Sequence, residues 1–197
     1  MDRALSFNGH VNSICQRSFF IVKTIYEYRN TLNEEVKKTL TNSLVLSIPR
    51  YLDAVYGPFL TNFNKYCIQK IQNSCARYVK RLSRRDHVSE PVKELYNNKM
   101  DQQRFIHLSC IVHKIIFTKE PIYLAESLLR RSEVHDVNVR GHSAMCIPRH
   151  KTQLFKNCFY YLSSHVYNIL PEYLKSLSIV QFKSRVKEYV SNTLLSL

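Results

Sequence analysis

Three glycines in 197 residues, Gly9, Gly57 and Gly141, leave this chain few ways to turn tightly. Hairpins and bulges need residues that take a positive φ or let another backbone come close, and glycine does both without steric cost. Helices need no glycine and are weakened by it. The six prolines stand far apart, so long stretches are free of both breakers. With 45% hydrophobic residues the chain can bury a core. Together these features predict an all-α, multi-helix bundle of one domain or two small ones. The same scarcity excludes Walker and dinucleotide-binding loops, which need clustered glycines to bring backbone amides against phosphate.

Apolar spacing places the helices. Val11, Ile14, Cys15, Phe19, Val22 and Ile25 mark one buried face over 11–28. Asn33 before Glu34 and Glu35 reads as a cap with acids in the first turn, opening a helix that stops before Pro49. A helix spans 61–85, a shorter one starts at Ser89-Glu90-Pro91, and Asp101 caps another. Glu120-Pro121 restarts a helix that Arg130 and Arg131 close. Residues 132–152 lose helical periodicity and read as an irregular loop-rich segment, with room for a short strand and a domain boundary. Phe155 to Leu170 is a buried helix, and Ser178 with Gln181 forms a capping box for the last one.

Charge narrows the function classes. The formal charge of +14 attracts polyanions, and residues 61–100 hold nine basic and three acidic residues. On a helix over 61–85, Lys70, Arg77, Lys80, Arg81, Arg84 and Arg85 share one sector, opposite Ile68, Ile71, Cys75, Tyr78, Val79 and Leu82. An ordinary solvated face is the bland reading of such a stripe. The shortage of nearby acids favours an external anion, and a ladder of cations suits a phosphate backbone rather than base edges. Five such contacts imply a slope of log affinity on log salt near −4.5, taken as about −0.9 per contact.

Other chemistry is weakly represented. His107, Cys110 and His113 recur every third residue on a helix, which turns the third ligand about 120° from the first. His142, Cys146, His150 and Cys158 match no standard zinc spacing, so no metal or other cofactor is expected. No nucleophile elbow is present, and the five aspartates, Asp2, Asp53, Asp86, Asp101 and Asp136, are isolated where two-metal phosphoryl transfer needs paired carboxylates. The six cysteines form no CxxC pair and no stretch reaches the ~20 apolar residues of a membrane span. An intracellular protein without membrane or active site is the expectation.

Several strings resemble, in order and spacing, the region after the catalytic palm in LINE-type (non-LTR) retrotransposon reverse transcriptases, Jockey-like among them. They are LSFNGHVNSICQRS, with Phe7 where the family has tryptophan, NSLVLSIPRYLDAVYG, and IQKIQNSCARYV, carried by Ile71, Gln72, Asn73 and Arg77. EPIYLAESLL, Arg140, CIPRHKT, CFYYLSSHVYNILPEYLKS and VQFKSRVKEYV follow, with Tyr167 in place of another family tryptophan. The similarity runs from Leu5 to Leu195. It implies a thumb-like region at 1–86 and a post-thumb region at 87–197. By the same resemblance, the helices before Arg85 would grip an RNA or RNA–DNA duplex without sequence preference. Polymerase chemistry would belong to a palm-bearing reverse transcriptase chain. A protein-interaction module, or a relic with no selected function, are the alternatives.

Overall fold

A computed structural model of the chain describes residues 6–134, 141 and 143–193. Arg140, His142, Asp2 and Asp136 of the sequence reading lie outside these residues. The fold is all-α, and among the described residues there is no β-strand. The chain divides into two compact units, Met1–Arg104 and Phe105–Leu197. The 86/87 division rests on the family resemblance and is of a different kind from this division by compactness.

The first unit contains α1 (Asn8–Tyr26), α2 (Glu34–Leu40), a π-helical turn (Thr41–Val45), α3 (Ser47–Arg50), α4 (Asp53–Tyr56), a 3₁₀ turn (Gly57–Phe59), α5 (Asn62–Lys80) and α6 (Ser89–Tyr96). α1 and α5 lie side by side and parallel. At their starts the Asn64 side-chain amide donates to Asn8 Oδ1 at 2.7 Å, and past their ends Arg81 reaches the Asn30 carbonyl at 3.5 Å. Val11, Ile14, Ile25, Ile68, Ile71, Cys75 and Val79 are buried in one core. Full burial of such a side chain contributes about 1.5–3 kcal/mol, which is why this apolar stripe decides the pairing.

Local chemistry sets the ends of the elements. Asn33 caps α2 as expected, its Oδ1 accepting from the Val36 amide at 2.9 Å, and Thr61 caps α5 by accepting from Asn64. The helix expected to stop before Pro49 continues instead as α3, which holds Pro49 buried within its single turn. A first helical turn needs no amide from proline, so the ring fits there. Val88, without a side-chain bond, occupies the cap of α6, so Ser89 is inside the helix rather than at its cap. Gly57 has an ordinary helical φ of −58°. Its hydrogen matters for another reason, since a Cβ there would lie 1.9 Å from Arg104 Nε.

The second unit takes over partway along α7 (Met100–Thr118) and continues with α8 (Ile122–Ala125), α9 (Arg131–Val134), α10 (Gln153–Lys156), α11 (Phe159–Ile169), α12 (Glu172–Lys175) and α13 (Ile179–Thr193). Asp101 falls inside the first turn of α7 and pairs with Arg104 rather than capping. α8 is one turn long, and Arg130 and Arg131 do not close it: Arg130 bridges Met145 and Arg131 begins α9. The helix expected over 155–170 is broken into α10 and α11. The segment 143–152 is irregular as expected, without a strand. Asn168 supplies what a neighbouring strand would, its amide accepting from Met145 N at 2.8 Å and donating to Met145 O at 3.0 Å.

Candidate nucleic-acid interface

The basic end of α5 differs from the sequence reading in its backbone. The helix stops at Lys80, not at residue 85, because Arg81 turns left-handed with φ 54°. The Leu82 amide folds back onto the Arg77 carbonyl at 3.0 Å, closing the end with the six-to-one bond of a Schellman motif. That position normally carries glycine, since a left-handed conformation costs an L-residue about 1–2 kcal/mol. Beyond it, Ser83 and Asp86 bracket a turn. The Asp86 amide donates to the Ser83 carbonyl at 3.4 Å and the Ser83 amide donates to Asp86 Oδ2 at 2.7 Å. That backbone bond holds the Asp86 carboxyl below its ordinary range. Arg84 and Arg85 occupy the two central positions of the turn, so it is the turn, not a helical sector, that presents them.

The six sequence-selected cations fall into two groups. Lys80 is committed to the fold: Nζ lies 2.7 Å from Glu34 at the start of α2 and 2.5 Å from Glu94 on α6. Hydrogen bonds to Glu34 and then Glu94 raise its pKa. The shortage of acids inferred from sequence overlooked Glu34, 46 residues earlier in the chain (80 − 34). Arg77 is half-buried and donates to the Asp86 carbonyl at 3.4 Å, which ties the turn to the helix, while its Nε is buried without a partner. Lys70, Arg81, Arg84 and Arg85 are exposed, and none makes an ion pair among the described residues.

Neighbouring elements add to the positive field. Arg29, just past α1, stacks its guanidinium 4.6 Å from the Tyr26 ring centroid, beside the Asn30 carbonyl that Arg81 contacts. Lys37 is buried on α2 with Nζ 5.7 Å from the Tyr78 ring centroid; burial first, and then the charge of Arg81, lower its pKa. Neither was selected from sequence, although Tyr26 and Arg29 stand at an interaction spacing of three residues. At the other end of α5, Phe63 and Tyr66 are 70% and 58% exposed, and Lys70 Nζ lies 4.3 Å from the Tyr66 ring centroid.

The other sequence candidates have structural positions. His113 is fully buried. Its Nδ1 pairs with the Tyr167 hydroxyl at 3.2 Å, its Nε2 with the Leu177 carbonyl at 3.0 Å, and Phe182 stacks on it at 3.9 Å between centroids. Both nitrogens are therefore occupied. Cys110 is half-buried with its thiol pushed up by burial, and Cys158 donates to the Leu154 carbonyl at 3.6 Å. His150 packs edge-on against Tyr161. In the string that carried the resemblance, Ile71 is in the core, and buried Gln72 donates to the Asn98 carbonyl at 2.9 Å. Among the described residues no group of His, Cys, Asp or Glu could hold a metal, and no helix is long and apolar enough to cross a membrane.

Comparison with family models, curated proteins and solved structures finds no match to this chain.

Proposed function

We propose that this chain is a non-catalytic nucleic-acid-binding module, related to the thumb and post-thumb region of LINE-type reverse transcriptases, that holds an RNA or RNA–DNA duplex by its phosphate backbone. The observation that carries this reading is the set of four exposed cations without ion pairs among the described residues: Lys70 midway along α5, Arg81 at its end, and Arg84 and Arg85 on the turn beyond it. Cations at a helix C-terminus favour the helix dipole. That accounts for Arg77 and Lys80 in the last turn and leaves Arg84 and Arg85 without a folding role. Side chains on a turn that offers no fixed set of base-reading groups suit backbone contact without sequence preference.

Among the described aspartates, Asp86 accepts from the Ser83 amide, Asp101 pairs with Arg104, and Asp53 is buried. Polymerase chemistry would come from a palm-bearing chain. A protein-interaction role is the second reading, favoured by Tyr51, Leu52 and Val55, which are 72%, 56% and 55% exposed next to one another.

Combining Lys70→Glu, Arg81→Glu, Arg84→Glu and Arg85→Glu tests the first reading. The variant is expected to lose binding to an RNA–DNA duplex and keep a cooperative melt. Undiminished duplex binding would refute it, and a partner retained after nuclease treatment would favour the second.

A further inference from the structure

The exposed face of α5 carries two kinds of side chain in sequence. At about 100° per residue, Phe63, Tyr66, Lys70 and Arg77 fall within an arc of about 60°. Along the axis they span about 21 Å, at about 1.5 Å per residue. The aromatic half comes first: Phe63 and Tyr66 have most of their surface in water, one turn apart, with Lys70 Nζ over the Tyr66 ring. Phe63 and Tyr66 lie outside the buried core that holds Ile68 and Ile71. Exposing two large rings costs solubility and does nothing for this helix, whose other face already packs against α1.

A row of exposed rings continued by cations has a specific chemical match. Unpaired bases offer flat π-faces to stack on Phe63 and Tyr66, while their phosphates meet Lys70 and the cations beyond it. A duplex cannot use the rings, because its bases are stacked on one another and turned inward. A protein partner could also bury two rings, but rings followed along one face by cations match the phosphates that accompany stacked bases. We infer that the Phe63–Tyr66 end of α5 is a stacking platform for a single-stranded nucleic-acid segment, continuous with the backbone-binding cations Lys70, Arg81, Arg84 and Arg85. This rests on the proposed nucleic-acid-binding function and adds the strand form taken by one part of the surface.

The absence of tryptophan from the chain makes a clean reporter possible. In a Tyr66→Trp variant, the single indole sits at the platform. Titration with oligouridylate is expected to quench its emission, whereas a blunt RNA–DNA duplex should bind with little quenching. Phe63→Ala, at an exposed position, should lower affinity for oligouridylate by about tenfold and leave both duplex affinity and melting temperature unchanged. If duplex binds but oligouridylate neither quenches the indole nor loses affinity with Phe63→Ala, the platform is refuted and backbone binding stands. If neither nucleic acid binds, both inferences fall.

Discussion

Arg84 and Arg85 stand in water on a turn and make no ion pair among the described residues, whereas His113 has no exposed surface and both its ring nitrogens are bonded. The first arrangement contributes almost nothing to folding and leaves its charge for a ligand. The second is committed to folding and offers a ligand nothing. Lys80 belongs with His113 in this sense, although Lys70 shares its helix and Arg81 directly follows it, because Glu34 and Glu94 neutralise it. The contrast teaches that the count of basic residues along α5 overstates its interface. What matters is which cations the fold leaves unpaired.

Perturbing the second unit should therefore change stability and not binding, and perturbing the turn should do the reverse. The largest effect is expected from Phe182→Ala. That ring is 1% exposed and stacks face to face on His113. Its removal should cost about 3–5 kcal/mol in a urea melt, and duplex affinity measured on the remaining folded protein should be unchanged.

Acid should reach the same place. Burial holds the His113 ring below its ordinary value of 6.5, against a smaller opposing effect of its hydrogen bond to Leu177. The unfolded chain then binds the proton first, so this contribution to stability is complete above pH 6.5 and is lost as the pH falls from there through the lower folded-state value. Melting temperature should drop as the pH falls below about 6.5. His113→Gln should flatten that dependence; an equally steep profile in the variant would place the sensitive group elsewhere.

A smaller effect, of opposite sign, is expected at Arg81. Glycine accepts the left-handed conformation that closes α5, so Arg81→Gly should stabilise the protein by about 1 kcal/mol. It should also remove one phosphate contact, lowering the salt slope by about 0.9. Gained stability with an unchanged slope would mean that Arg81 is a helix terminator and no part of the interface.

Glycine scarcity made the helical class legible and hid the helix ends. α5, α6 and α7 are each followed by a residue of positive φ that is not glycine, Arg81, Asn97 and Lys119. With no glycine to mark the stop, the helix over 61–85 was drawn past its end by its own pattern of cations. The apolar face was legible because burial follows the 3.6-residue period, and Ile68, Ile71, Cys75, Tyr78 and Val79 all lie inside. Pairing between distant segments was not. Glu34 reaching Lys80, and Tyr167 reaching His113, depend on how helices pack, and neighbouring residues do not encode that. The aromatic half of the interface was present as Phe63 and Tyr66, but only their exposure separates them from core rings.

The most direct test is the salt dependence of binding to an RNA–DNA duplex. Four unpaired cations predict a slope of log affinity on log salt of about −3.6, in place of the steeper value that the sequence implied. Lys80→Met should leave it unchanged, and Arg84→Glu with Arg85→Glu should bring it to about −1.8 or shallower. A slope near zero, or one that falls with Lys80→Met but not with the turn variants, would contradict the assignment of the interface to the end of α5.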